Sequence, residues 1–246
     1  MMDNSYDIII WGSSIRGIAR AAELKKSGKR VLLASRFGFP GGRHTESLSV
    51  LFSPDNIKAD VWIQQLIDQA AKLKFGILHQ SNLGTLLHPE AVKRICWHWL
   101  AEFIPHALFH VIPLDIEKHK NGINVRLFGR EGEISISAAD IEDHADNIPL
   151  TGIDKEAEYN MLINGFFIDS LPFTQSVFNI TRMIETPIGQ FVTHSVRKIP
   201  AVDLDNVFNR ELNRLTVESW SRYQNRISII PVYPEIVINQ HNSYGR

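Results

Sequence analysis

The sequence predicts an α/β protein, a mostly parallel sheet with a β-meander, joined to a smaller β-rich (α+β) second region. Three observations predict it. Asp7-Ile8-Ile9-Ile10-Trp11 and Val31-Leu32-Leu33-Ala34 are unbroken apolar runs of strand length, as in strands covered on both faces. Between them Ile15, Ile18, Ala19, Ala22 and Leu24 recur near the helical period up to Ser27-Gly28, so strand, turn, helix and strand fill the roughly 30 residues of a βαβ unit. Further on, Leu114–Glu117, Ile123–Leu127 and Ile134–Ile136 alternate apolar and polar residues around the turns Lys120-Asn121-Gly122 and Gly129-Arg130-Glu131-Gly132, the pattern of a sheet with one wet face.

Taken in order, the first turn carries the chemistry. From Gly12 to Gly17 the spacing is G-x-G-x-x-G, with Ser14 at the middle position. In the full pattern the first glycine makes the tight turn, the second lets a pyrophosphate approach the backbone, and the third lets helix and strand pack closely. Gly12, Ser13, Ser14, Ile15, Arg16 and Gly17 are therefore the candidate phosphate cradle, served by the free N–H groups of a helix start. A βαβ unit that holds no ligand is the plainer alternative. After the second strand, Ser35 stands where a ribose-binding acid is expected and Arg36 follows; Ser-Arg suits a 2′-phosphate, which makes NADP a rival ligand. The loop Phe37-Gly38-Phe39-Pro40-Gly41-Gly42-Arg43-His44-Thr45 comes next. Gly41 and Gly42 would let the main chain pass close to a cofactor, and Arg43 and Thr45 are candidates to touch it.

The remaining elements follow by periodicity. Residues 60–73 read as an amphipathic helix, and a second helix starts at Pro89 and runs on through Ile95, Trp99 and Leu100. A strand is expected over Leu108–Ile112, followed by the meander; a further strand toward Asp146 is implied by the resemblance given below. In the last hundred residues, strands are expected over 159–169, 174–181, 190–196, 227–230 and 235–238, with a helix over 204–223. The division expected is 1–148, with a helical insertion at about 55–84, and 149–246.

On these residues the chain resembles the FAD-dependent oxidoreductases, whose N-terminal half reads strand, GxGxxG, helix, strand, acid and then a Gly-Gly…Thr loop beside the flavin. The His88-Pro89-Glu90-Ala91 helix start, the meander and the stretch Ile141…Asp146 fit the same layout. The resemblance covers residues 7–47 and 85–146. It implies a Rossmann-like FAD-binding sheet, FAD as cofactor and a small-molecule substrate. The sequence departs from the family at Ser14, at Ser35 and at Asp143-His144-Ala145, where an Ala-Thr-Gly turn is usual. A Gly-rich C-terminal element that completes the family's site is also not found. A catalytically silent relative, acting as a binding module or completed by a partner chain, is the alternative, and a homo-oligomer fits as well.

Composition removes other classes. Lys+Arg minus Asp+Glu is 26 − 27 = −1, which gives no electrostatic reason for a nucleic-acid or anionic-membrane partner. The apolar runs are far below the roughly 20 residues of a membrane span. One cysteine, Cys96, fits a reducing compartment, and the cytoplasm is the expected location. No HExxH occurs and a single Cys makes no zinc cluster, so no metal is expected. Cys96 is expected to be a buried, inert thiol.

Overall fold

The computed structural model describes residues 5–104, 106–167, 178–223 and 229–237, with backbone alone for 217–223. Strand β1 (Ser5–Trp11), helix α1 (Ile15–Lys26) and strand β2 (Val31–Ala34) form the βαβ unit, in parallel register from Ile8↔Val31 to Trp11↔Ala34. Residues 8–11 and all of β2 are buried, because helices cover one face and the meander the other. The Ser14 hydroxyl caps α1 by accepting the Gly17 N–H at 3.0 Å, and Lys25 and Lys26 lie in its last turn, where cations complement the helix dipole.

The chain then builds α2 (Arg43–Glu46), β3 (Leu51–Phe52), α3 (Pro54–Ala59), α4 (Val61–Ala70), β4 (Ile77–Ser81), β5 (Gly84–Leu87) and α5 (Pro89–Phe103). Asp60 caps α4 through the Trp62 N–H at 2.9 Å, and α5 begins at the expected proline. The stretch between α2 and α5 is not wholly helical. β3, β5 and β4 make a separate three-stranded antiparallel sheet. Strands of two to five residues are too short to display an alternation in sequence.

Strand β6 (Ala107–Leu108) is shorter than expected. The chain turns at His110, φ +56°, so that the Val111 N–H reaches the Ser35 carbonyl at 3.2 Å. The meander follows as β7 (Ile112–His119), β8 (Gly122–Gly129) and β9 (Gly132–Asp143). The sequence suggests a third meander strand and then a separate parallel strand; the two are one. β9 pairs antiparallel with β8 over Gly132–Ala138 and parallel with β1 over Ser137–Asp143. At about 3.3 Å per residue a strand of this length is long enough to serve two partners in succession. The six-stranded sheet runs β6-β2-β1-β9-β8-β7.

The second sheet contains β10 (Glu158–Phe167), β11 (Ile180–Thr186), β12 (Gly189–Pro200) and, after α6 (Leu204–Tyr223), β13 (Glu235–Val237), in the order β11-β12-β10-β13. Residues 168–177 of the expected strands 159–169 and 174–181 lie outside the described residues, and the strand in that region starts at Ile180. Ile227, Ser228 and Ile238 also lie outside; Ile229 forms an isolated bridge with Phe166. Phe166, Ile184 and Phe191 of this sheet join Ile10, Ile18, Leu66, Leu86 and Trp99 in one core. Each such side chain contributes roughly 1.5–3 kcal/mol by leaving water, and together they hold the second sheet against the helices of the first. Cys96 is buried in that core and its thiol is pushed up to about 12 by burial, the inert state expected. Among the described residues no helix is long and apolar enough to cross a membrane.

Candidate functional site

Ligands of parallel α/β sheets bind beyond the carboxyl ends of the strands. Here the ends of β1, β2 and β9 meet the 37–46 loop in a corner made by residues 11–14, 35–37, 42, 46 and 145–148. Gly12 leaves β1 at φ +99°, and a Cβ on it would lie 2.5 Å from the Ala145 nitrogen, so only glycine allows the turn and the 143–146 segment to touch. Gly17 lies against the Gly12 carbonyl. Ser13 is buried, and its hydroxyl donates to the Ser35 hydroxyl at 3.0 Å and approaches the Phe39 carbonyl at 3.4 Å. The Gly41 N–H donates to the Ser13 carbonyl at 2.7 Å, and the Thr45 hydroxyl donates to Pro40 at 2.9 Å. The loop is thereby bonded straight onto the turn. Gly42 has φ +55°, and a Cβ there would meet Asp146 Oδ2 at 2.3 Å and Ser14 Cβ at 2.8 Å. The Ser14 hydroxyl donates to the His144 carbonyl at 2.7 Å, and the Arg43 N–H donates to Asp146 Oδ2 at 3.0 Å. The space left is about 10 Å³, the minimum for one water.

On the other side of Ser14 and Asp146 the molecule opens. A cleft of about 480 Å³ is walled by the start of α1 (Ser14, Ile15, Arg16), by Arg43, His44 and Ser49, by Ser53, Asn56 and Asp60 around α3, and by Leu162, Arg182 and Glu235 of the second sheet. The Arg16 guanidinium pairs with Asp60 at 3.9 Å and that of Arg43 with Glu235 at 3.6 Å. His44 is 7% exposed. Its Nδ1 is 2.5 Å from the Ser49 carbonyl and its ring lies on Phe52 at 4.6 Å. Burial, followed by the Arg43 charge, lowers its pKa, so the ring is neutral at pH 7.

Behind the corner the loop is anchored by polar groups. Burial pushes the Glu46 carboxyl up to about 8. The Asn147 amide donates to Glu46 Oε2 at 3.0 Å and to the Ser47 hydroxyl at 2.9 Å, and the Asn164 amide of β10 donates to the Ser47 carbonyl at 2.9 Å. At the end of β9 the Glu142 carboxylate takes two hydrogen bonds from Arg20, at 2.8 and 2.9 Å, and lies 3.0 Å from His144. The Arg20 hydrogen bonds hold it down to about 2.

The structure thus gathers Gly12, Ser13, Ser14, Gly17, Ser35, Gly41, Gly42 and Thr45 in the closed corner, with Ile15, Arg16 and Arg43 on its cleft side. Arg36 is exposed and lines a neighbouring recess with Lys155, Asp205 and Tyr233. Glu46, Asn147, His44, Arg182 and Glu235 were not legible as site residues. His44 lay inside the glycine loop but without a readable partner, and Arg182 and Glu235 come from strands more than a hundred residues away.

The sequence profile of the FAD dependent oxidoreductase family matches residues 7–143. No curated protein matches the chain in sequence. Among solved structures, the chain is similar to OxyS anhydrotetracycline hydroxylase from Streptomyces rimosus (TM-score 0.57, 15% identity, 92% of this chain and 52% of that one). It is also similar to p-nitrophenol 4-monooxygenase from Pseudomonas putida DLL-E4 (0.57, 13%, 96% and 69%). A third similar structure is aklavinone-11 hydroxylase in complex with FAD and aklavinone (0.52, 14%, 97% and 53%). These likenesses show the fold, an α/β dinucleotide-binding type. The chain spans about half the length of the first structures it matches.

Set against FAD, the residues divide. The cleft has the volume of a small-molecule site, about 480 Å³, and the first turn of α1 borders it. The corner, at about 10 Å³, has no room for a diphosphate or a ribose, because Gly42 and Asp146 lie directly on Ser14. A dinucleotide reaches the turn only when the 37–46 loop parts from it.

Proposed function

The chain belongs to the FAD dependent oxidoreductase family, whose cofactor is FAD, and from that premise we propose that it is a flavin oxidoreductase acting on a small molecule held in the cleft. The single observation that carries the reading is the cleft itself, a space of about 480 Å³ bordered by the amino end of α1 on one side and the second sheet on the other. Residues 12–17 would cradle the diphosphate, with Ser35 and Arg36 toward the ribose and Gly41, Gly42, Arg43 and Thr45 on the opposite side. FAD, when bound, supplies the redox chemistry by accepting or giving hydride. The chain's own residues bind and orient. Arg16 and Arg43, each already shared with a carboxylate, bring positive charge to the cleft, while Leu51, Phe52, Ile63 and Leu162 supply its apolar contacts.

Addition of FAD to the purified chain tests the reading. The expected outcome is a yellow complex absorbing near about 450 nm, as flavins do. Its association is expected to be slower than about 10⁵ M⁻¹s⁻¹, because the loop must leave Ser14 first. A folded sample that retains no FAD removes the oxidoreductase reading. It would favour the second reading, a silent relative that keeps the fold as a binding module, for which the closed corner speaks.

A further inference from the structure

We propose that Glu46 and Asn147 form an acid–amide latch on the corner, shut while the Glu46 carboxyl keeps its proton and released when that proton leaves. This deepens the flavin-oxidoreductase reading above and rests on it only for the ligand that an open turn would admit.

Glu46 ends α2 and is 5% exposed. Among the described residues its carboxyl has one hydrogen-bond partner, Asn147, and no cation within 4.0 Å. A carboxylate enclosed in that way keeps little solvation, so the neutral acid is the favoured form. A neutral carboxylic acid and a primary amide are complementary. The amide N–H donates to one acid oxygen, and the acid O–H donates to the amide oxygen. The structure holds the first arm, Asn147 Nδ2 to Glu46 Oε2 at 3.0 Å. The acceptor of the second arm, Asn147 Oδ1, is buried and has no hydrogen-bond partner. The acid hydrogen of Glu46 is the donor that this orphaned oxygen lacks. Around the pair stand Asp146 after β9 and Arg36 after β2, and Arg43 and His44 on the same helix. Tyr233 reaches the Glu46 carbonyl through its N–H, and Glu235 is bonded through Asn164. Burial raises the carboxyl to about 8, with the Asp146 charge acting in the same direction and the amide bond against it.

The pair is wired to the turn. The Thr45 and Glu46 N–H groups donate to the Gly42 carbonyl at 3.0 and 2.9 Å, so Gly42 moves with Glu46. Asn147 follows Asp146, which accepts the Arg43 N–H and lies on Gly42. The Glu46 carbonyl accepts the Val232 and Tyr233 N–H groups at 2.9 and 3.2 Å, and the Ser47 carbonyl accepts the Asn164 amide. The seam free to part is therefore the one between α2 and residues 145–148. Loss of the proton sets a carboxylate oxygen against Asn147 Oδ1, two acceptors with no hydrogen between them, beside the Asp146 charge. The shut form holds the proton up to about 8, whereas an opened, hydrated Glu46 holds it only to 4.5. The opening constant therefore rises about tenfold per pH unit between those values and levels off above them.

Amide hydrogen exchange of the full chain tests the latch. The Gly41 N–H, bonded to the Ser13 carbonyl, and the Arg43 N–H, bonded to Asp146, report the corner, while the Leu33 N–H, bonded to the His106 carbonyl, reports global unfolding. In low urea the Gly41 and Arg43 amides are expected to exchange independently of denaturant, as a local opening does, while Leu33 follows it. Corrected for base catalysis, their opening constant should rise about tenfold per unit between about pH 5.5 and 7.5. Glu46→Gln keeps both arms as an amide pair and should hold the corner shut with the slope gone. Glu46→Ala lacks both arms and should raise opening about tenfold or more at about pH 6. The parent also gives a reading that needs no variant. The infrared C=O band of a protonated carboxyl should be present at about pH 6, fade as pH rises through about 8, and be missing from Glu46→Gln. If Gly41 exchanges only with global unfolding, if Glu46→Gln opens as Glu46→Ala does, or if the acid band is absent, the proposal falls. FAD association should quicken with pH in the parent but not in Glu46→Gln. A pH-dependent opening in a chain that binds no FAD at any pH leaves the latch and removes the oxidoreductase reading. FAD binding at a rate untouched by pH, with a flat exchange profile, removes the latch and leaves the flavin reading.

Discussion

The corner and the cleft share two walls, Ser14 and Asp146, and differ in volume by a factor of nearly fifty, about 10 against 480 Å³. The difference lies in what meets those walls. On the corner side they meet backbone: the Gly41 and Gly42 peptides and the 143–146 segment, fixed by hydrogen bonds of 2.7–3.0 Å. On the cleft side they face side chains, among them Leu162, Arg182 and Glu235 of a second sheet. A parallel-sheet ligand corner therefore stays open only when no neighbouring main chain can reach its turn. In this chain the glycines that usually admit a phosphate admit the protein's own loop.

The contrast breaks most sharply at Gly42. Gly42→Ala places a Cβ against Asp146 and Ser14 at a positive φ and is expected to cost about 3 kcal/mol or more in urea denaturation, whereas Arg182→Met on the cleft wall stays within about 0.5 kcal/mol. A loss below about 1 kcal/mol for Gly42→Ala would show that the corner opens readily.

Acidity separates the two regions next, with opposite signs. Glu46, behind the corner, has its folded pKa raised from 4.5 to about 8. Its contribution is fully present below 4.5 and is lost as pH rises toward 8, on the order of a few kcal/mol. Glu46→Gln should flatten that slope between pH 5 and 8.5. His44, on the cleft, has a lowered folded pKa, so its contribution is present above 6.5 and is lost as pH falls. A stability profile with neither limb would contradict both burials.

Ser14→Gly sharpens the comparison at the shared wall. It removes the hydroxyl bond to His144 and the cap on Gly17, at about 1 kcal/mol, and is expected to raise FAD affinity several-fold by loosening the corner. Unchanged affinity would mean that Gly42 and Asp146 alone keep the cofactor out. The smallest effect belongs to Glu142→Gln, which loses the half-exposed Arg20 pair for less than about 1 kcal/mol at neutral pH. Because the Glu142 carboxyl is held down to about 2, its stabilisation is present above 4.5 and fades as pH falls toward 2. The variant should therefore converge with the parent in acid.

Much of the fold was legible because its signals are local. The runs at Ile8–Trp11 and Val31–Ala34, the helical period after Ile15 and the Pro89 helix start each appear within a dozen residues, and these elements formed within three residues of their expected limits, whereas the strand expected over Leu108–Ile112 stops at Leu108 and the one expected over 190–196 runs on to Pro200. The fusion of β9 was hidden, since nothing in a sequence says that one strand will change partners at Ser137. The glycine-rich turn and the loop after β2 were recognisable, so the place of the candidate site was readable, but its shape was not.

Alone, the chain of residues determined the βαβ unit, the meander, the family and the position of the turn, because hydrophobic period and turn chemistry act between near neighbours. Only the tertiary structure decided that Gly42 would rest on Ser14, that Arg182 and Glu235 would line one cleft with His44, and hence that one half of the site is shut and the other open. Those contacts join segments separated by up to roughly two hundred residues, and their geometry comes from how two sheets share one core rather than from any local pattern.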